Sequence, residues 1–256
     1  MSWDGDVCRV MLHEPARLNP LGEHVRAGLE EVVARLRDDL TTRVVVLSGA
    51  GRAFSAGADL RAGPAPPADW VARRRASGGW QRLLDSIESL PQVTVASLHG
   101  RTVGGAVLLA AACDLRIGAD DLLVSVPEVA LGIPLTWAGL PRLVREIGLP
   151  RTRELVMTGR VVGAEEALAW GFVTRLVAAA ELRAATDALV AELLEMPDVP
   201  LRMTHEALVA IGRDRAGMAA AWADADLLSW SGREPDTRAA MRAYAERHLA
   251  RRDRDD

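Results

Sequence analysis

Alternations and runs of apolar residues divide this chain into a repeating order of strand, helix and loop. The stretch "VCRVMLHEP" (7–15) alternates apolar and polar positions and stops at a proline, which predicts a strand. Over 21–39, "LGEHVRAGLEEVVARLRDD" changes to helical spacing, with Val25, Leu29, Val32, Val33 and Leu36 on one face. "RVVVLSGAG" (43–51) is a continuous β-branched run closing on glycines, as expected of a strand buried on both faces. The small residues of 52–61 read as a loop, and the prolines of 63–69 as a surface excursion. Residues 70–90 return to helical spacing, with Trp80, Leu83, Leu84 and Ile87 inward. A strand is predicted over 93–100, then an apolar helix over 106–113, then two short strands around a turn within 114–128. Helices over 138–148, 150–159 and 163–171 precede a strand over 172–177, and helical patterns fill the chain from 181. This order predicts an α/β fold with a helical C-terminal appendage. A ββα rhythm fits it, without any sequence repeat of 20–50 residues.

Composition narrows the function. The chain has 256 residues and is 49% hydrophobic, enough for one sizeable core and a smaller appended subdomain. The formal net charge is -4 with acids and bases interspersed. It shows no basic face for nucleic acid, and none is expected as a partner. No apolar run reaches the roughly 20 residues of a membrane span, and the N-terminus has no cleavable signal pattern. Cys8 and Cys113 sit in apolar contexts and read as reduced thiols of a cytoplasmic protein. The sequence contains no lysine, which excludes a Schiff-base lysine, a P-loop lysine and a serine–lysine dyad. The five histidines (13, 24, 99, 205, 248) lack metal-ligand spacing, so no metal is expected, and His99 reads as a structural residue at a strand end. Trp80, Trp222 and Trp230 read as packing or interface anchors.

Three features carry candidate chemistry. In "LHGRTVGGAVLLAAACD" a strand runs into Gly104-Gly105 at the start of a helix. A helix N-terminus exposes unpaired N–H groups, and glycines let a ligand approach them. The pair is thus either an anion or oxyanion site or a tight packing turn. In "FSAGAD" (54–59) small residues around Gly57 expose N–H groups or simply form a surface turn. Glu128, in "VSVPEVALGIPLTW", stands between apolar runs. Desolvation there raises its pKa toward that of a general base, unless it caps the next helix or faces solvent. Other kits are absent: "AFSAG" has Ala53 where a nucleophile elbow needs glycine. "GAGRAF" ends in Phe54, not the third glycine of a dinucleotide fingerprint.

Taken in order, "LHEPARLNPL", "GRAFSAGADL", "GRTVGGAVLLAAACDLRIG", "VPEVALGIP", "ELVMTGRVVGAEEALAWGFVTRLV" and "GREPDTRAAMRAYAERH" resemble the crotonase (enoyl-CoA hydratase/isomerase) superfamily over nearly the whole chain. The resemblance implies a crotonase-type α/β spiral of ββα units over 1–190 that binds acyl-CoA. A helical region, 191–256, would build a homotrimer or a dimer of trimers. It implies an acyl-CoA thioester as substrate, with coenzyme A as part of that substrate and no separate cofactor. By motif position, Ala58 and Gly105 supply the oxyanion N–H groups, with Gly104 beside them. Backbone around Ala56, Asp59 and Leu60 takes the adenine end, and Arg17 is a candidate for a CoA phosphate. Of the two glutamates that activate water in the hydratases, the first position is Leu108 here and the second is Glu128. Thr136 stands where the hydratases have glycine, and Trp137 follows it.

One carboxylate suffices to move a double bond from position 3 to position 2, and the pattern is similar to that of the single-glutamate Δ3,Δ2-enoyl-CoA isomerases. Leu108 beside Leu109 would dry the pocket and raise the basicity of Glu128. Isomerisation is therefore the favoured expectation. The alternatives are enoyl-CoA hydration or another acyl-CoA reaction (decarboxylation, retro-aldol cleavage), and a non-catalytic acyl-CoA-binding protein.

Overall fold

The repeated strand pairs wind into two sheets that share one core. The structure, a computed structural model, describes residues 1–61, 69–216, 221, 223–231, 233 and 235–255. The strands are β1 (Ser2–Asp4), β2 (Val7–Leu12), β3 (Val44–Gly49), β4 (Ala53–Ser55), β5 (Val93–Leu98), β6 (Arg101–Val103), β7 (Leu115–Ala119), β8 (Leu123–Ser125), β9 (Val162–Gly163) and β10 (Arg175–Val177). The helices are α1 (Glu23–Arg37), α2 (Trp70–Ser77), α3 (Gly79–Ile87), α4 (Gly105–Ala111), α5 (Gly139–Thr158), α6 (Ala164–Trp170), α7 (Leu182–Glu195), α8 (Asp198–Ala216), α9 (Asp224–Ser231) and α10 (Pro235–Asp255).

The larger sheet has six strands in the order β1-β2-β3-β5-β7-β10, parallel except for the β1–β2 hairpin. Its central strands are buried on both faces, as their continuous apolar runs predict. Val45 and Leu47 of β3 face a cluster with Leu29, Val33 and Leu36 of α1 and Leu83 and Leu84 of α3. Val44 and Val46 face the other way, onto Leu189 and Val190 of α7. Each such side chain contributes about 1.5–3 kcal/mol on burial. The smaller sheet has four short strands in the order β4-β6-β8-β9. Three times the chain passes from a strand of the larger sheet to one of the smaller, and then into helix: β3 to β4, β5 to β6, β7 to β8. This is the α/β spiral of ββα units.

Several expectations need correction. Residues 70–90 form two helices, because the Gly78-Gly79 pair ends α2 and starts α3. The loop over 52–61 contains β4, and the predicted strand over 93–100 continues through a turn at Gly100 into β6. Ser2–Asp4 adds an edge strand through Gly5, whose φ of 54° permits the hairpin. The helices predicted over 138–148 and 150–159 meet at a kink where Gly148 is non-helical (φ 77°, ψ 160°) ahead of Pro150. His99 is structural as expected, its Nε2 2.8 Å from the Gly51 carbonyl. Cys8 and Cys113 are free and buried. Trp80 is an inward anchor, Trp230 is 63% exposed, and Trp222 lies outside the described residues, as does most of the proline-rich 63–69 stretch. No described helix is long and apolar enough to cross a membrane.

Candidate active site

Three neighbouring parallel strands of the smaller sheet each deliver one candidate group just past their carboxyl ends. β4 ends at Ser55 and leads to Ala58, β6 ends at Val103 and leads to Gly105, and β8 ends at Ser125 and leads to Glu128. Ligands of open α/β sheets collect outside the carboxyl ends of strands for the same reason: adjacent parallel strands aim successive loops at one place.

The first loop is fixed by buried hydrogen bonds. Asn19 Nδ2 donates to the carbonyls of Ala50, Ala53 and Phe54, and Ser55 Oγ donates 2.6 Å to Asn19 O. Gly57 N–H in turn donates to Ser55 Oγ, and Gly57 O accepts from Leu21 N–H at 2.8 Å. Leu21 and Ala58 form an isolated parallel bridge. Gly57 has φ +83°, and a Cβ there would collide with the Val103 carbonyl and stand 3.6 Å from Gly105 N. Only glycine lets the two loops come this close.

Gly104 makes the second turn. Its φ of 55° and ψ of −119° suit glycine, and its N–H is held by Ser125 O at 2.8 Å. Gly105 is the first residue of α4, so its N–H has no carbonyl one turn behind it. Among the described residues neither Ala58 N–H nor Gly105 N–H donates a hydrogen bond. Two free backbone donors from facing loops form an arrangement suited to a developing oxyanion.

Glu128 opens a 3-10 turn, Glu128–Leu131, behind Pro127. A Cβ on Gly104 would lie 2.5 Å from its Oε1, which places the carboxylate against the glycine turn. Its Oε2 is buried and has no hydrogen-bond partner among the described residues. Burial pushes the Glu128 carboxyl up to about 7, opposed only by its own backbone N–H. The direction is the one expected for a carboxylate set between apolar runs, and a carboxyl in this range can act as a base near neutral pH.

Leu108 and Trp137 add apolar side chains around the α4 start. Leu108 is 1% exposed, and a Cβ on Gly139 would meet its Cδ1 at 2.8 Å. Leu108 is thus packed into the core beside α5. The Trp137 ring lies over Gly105, where any Cβ would overlap it, and stacks on Trp80 with centroids 4.8 Å apart at 14°. Trp137 and Ala138 both have left-handed backbone, at φ 61° and 54°. That conformation costs about 1–2 kcal/mol per non-glycine residue. Arg142, 0% exposed and ion-paired to Glu88 and Asp85, donates to Trp137 O. Thr136 is buried, and its carbonyl accepts from Gly139 N–H.

The groups assigned by sequence to coenzyme A lie around the first loop. Ala56 N–H donates to Leu18 O at 2.8 Å, and Leu60 is 52% exposed. Arg17 is not free: it donates to both Asp59 oxygens at 2.7 Å and to Glu14 at 2.8 Å. Burial raises the Asp59 carboxyl, but the hydrogen bonds from Arg17 and from Arg61 N–H, with the charges of both arginines, together outweigh it and the net shift is downward. Sequence reasoning missed Asn19 and Arg142. Nothing local marks them, because their partners lie tens of residues away.

The profile of the family described as enoyl-CoA hydratase/isomerase matches residues 3–251. Carnitinyl-CoA dehydratase of Escherichia coli K12 is 38% identical over 183 residues, covering 70% of this chain and 67% of that protein. An enoyl-CoA hydratase crystal structure from Mycobacterium avium subsp. paratuberculosis K-10 superposes with TM-score 0.86 at 26% identity, covering 96% of this chain and 94% of that one. A Thermobifida fusca YX protein solved in complex with CoA superposes with TM-score 0.77 at 33% identity, covering 90% and 92%. With the fold, the paired N–H donors and the buried glutamate, these matches establish that the chain belongs to the enoyl-CoA hydratase/isomerase family of the crotonase superfamily.

Proposed function

We propose that the protein is a Δ3,Δ2-enoyl-CoA isomerase that works with one carboxylate. The thioester carbonyl of a 3-enoyl-CoA accepts from Ala58 N–H and Gly105 N–H. Ionised Glu128 removes a proton from C2, and the electron pair moves onto the thioester oxygen as a dienolate. The same carboxyl returns the proton to C4 as the C2–C3 double bond forms and the C3–C4 double bond is lost. The two N–H groups stabilise the charge where it develops, and one group near pKa 7 serves as base and then acid. The observation that carries this reading is the Glu128 carboxylate against Gly104 with a buried Oε2 that has no partner among the described residues, together with buried Leu108 at the position where, by the family resemblance, the hydratases hold their other glutamate.

Acyl-CoA binding is supported by the CoA-bound relative. In this reading the adenine end lies along Ala56, Asp59 and Leu60, and Arg17 meets a CoA phosphate from its place beside Asp59. The assembly we propose is a homotrimer or a dimer of trimers, in which the exposed apolar side chains of α8, such as Met203 and Ile211, are covered. Hydration or dehydration is the second reading, and the relatives named hydratase and carnitinyl-CoA dehydratase favour it.

Ultraviolet absorbance of the conjugated thioester tests the choice. Isomerisation makes conjugation appear from a 3-enoyl-CoA and leaves a 2-enoyl-CoA nearly unchanged. Rapid loss of conjugation from the 2-enoyl-CoA would instead establish hydration. Leu108→Glu should gain hydration if this position sets the reaction.

A further inference from the structure

The turn that carries Trp137 is strained, and what holds it comes from far along the chain. Trp137 and Ala138 are consecutive left-handed non-glycine residues, a conformation that persists only where the surroundings impose it. On the carbonyl side, Arg142 ties Trp137 O to Asp85 of α3 and to Glu88 just past its end. On the amide side, Ala138 N–H donates 2.8 Å to Asp224 Oδ2, the first residue of α9. Asp224 is half-buried. Through this bond the C-terminal region holds the turn directly. Next to it, α9 docks on α2 through the Arg74–Asp226 ion pair.

We infer that Asp224 is a positioning residue. By capping Ala138 N–H it holds the Trp137 ring on Trp80 and over Gly105, and so fixes the wall beside the oxyanion donors when the C-terminal helices dock. The inference rests on the reading of Gly105 N–H as a thioester-oxygen donor. Without the cap, Ala138 N–H loses its partner, the turn relaxes toward ordinary φ, and the ring leaves its stack. The reacting carbon then loses its fixed distance from Glu128, which lowers kcat. The CoA-binding groups around Arg17 and Asp59 belong to another loop, so KM changes little.

The test compares Asp224→Ala, Asp224→Asn and Asp226→Ala in the full chain, each checked for cooperative unfolding. Asp224→Ala should lower kcat about tenfold at unchanged KM. It should also reduce the circular-dichroism couplet of the stacked indoles, identified as the signal lost in Trp80→Phe. Asp224→Asn, which keeps an acceptor oxygen, should recover most of both losses. Asp226→Ala, which breaks the ion pair to Arg74 of α2 and leaves the Ala138 cap in place, should leave both unchanged. An intact couplet in Asp224→Ala, or equal losses in Asp226→Ala, would overturn the inference. The couplet is read without substrate, so it decides the role of Asp224 even if the wild type turns over no 3-enoyl-CoA. If Asp224→Ala fails to fold, the couplet and kcat of Asp224→Asn decide: both close to wild type support the cap, and both lost contradict it.

Discussion

The two sheets do different work. The larger one has strands of up to six residues, is apolar on both faces, and packs between α1 and α3 on one side and α7 on the other. The smaller one has strands of two or three residues, shares the core through Phe54, Val124 and Val162, and carries the candidate groups Ala58, Gly105 and Glu128 just past its strand ends. The first supplies most of the regular framework, and the second places the candidate site. Among the described residues four non-glycine positions have positive φ: Trp137 and Ala138 beside Gly105, and Leu18 and Asn19 against the loop that leads to Ala58. Glu128 adds a buried, unpartnered carboxylate oxygen. Such features destabilise a fold and persist where function requires them.

This division can be broken experimentally. The largest effect is expected from Glu128→Gln, which removes the proposed proton carrier and should lower isomerisation by about 10³-fold in the absorbance assay while the far-ultraviolet circular dichroism stays unchanged. Next comes Gly57→Ala. Its Cβ would strike the Val103 carbonyl and move Ala58 N–H away from Gly105. Loss of one oxyanion donor corresponds to about 10²–10³ in kcat, read from initial rates at saturating substrate. On the larger sheet, Leu47→Ala should act in the opposite sense. It leaves a cavity costing about 2–5 kcal/mol of stability by denaturant unfolding, with kcat nearly unchanged well below the melting temperature.

The smallest effect is electrostatic and has a definite sign. Glu128 holds its proton in the folded state up to about pH 7, but in the unfolded chain only to about 4.5. Stability is therefore highest below the unfolded value and falls as pH rises from about 4.5 to about 7. Glu128→Gln removes this dependence. It should raise stability at pH 8 by up to about 3 kcal/mol, while wild-type kcat/KM climbs with pH through the same window as the base ionises.

The sequence displayed the larger sheet well and the smaller one poorly, for a physical reason. Six-residue apolar runs such as "VVVLSG" and the α1 face of Leu29, Val32, Val33 and Leu36 have a period that can be read. A three-residue strand such as Ala53–Ser55 has none and reads as loop, whereas β8 is anticipated as the second of the two short strands expected within 114–128. Part of the candidate site could be expected from the chain: a glycine pair at a helix start marks Gly105 N–H, apolar flanks mark Glu128, and Ala58 comes only from the family resemblance. Long-range partners were not. Ala138 and Asp224 meet across 86 residues and Arg142 and Glu88 across 54, and no local pattern records either pair.

The central claim is that one carboxylate in a dry pocket carries the proton from C2 to C4. It is tested most directly with a 3-enoyl-CoA deuterated at C2, its product analysed by NMR and mass spectrometry. The account predicts a conjugated 2-enoyl-CoA that retains deuterium at C4, and no such product with Glu128→Gln. A 3-hydroxyacyl-CoA as the main product, or equal label transfer by Glu128→Gln, would contradict it.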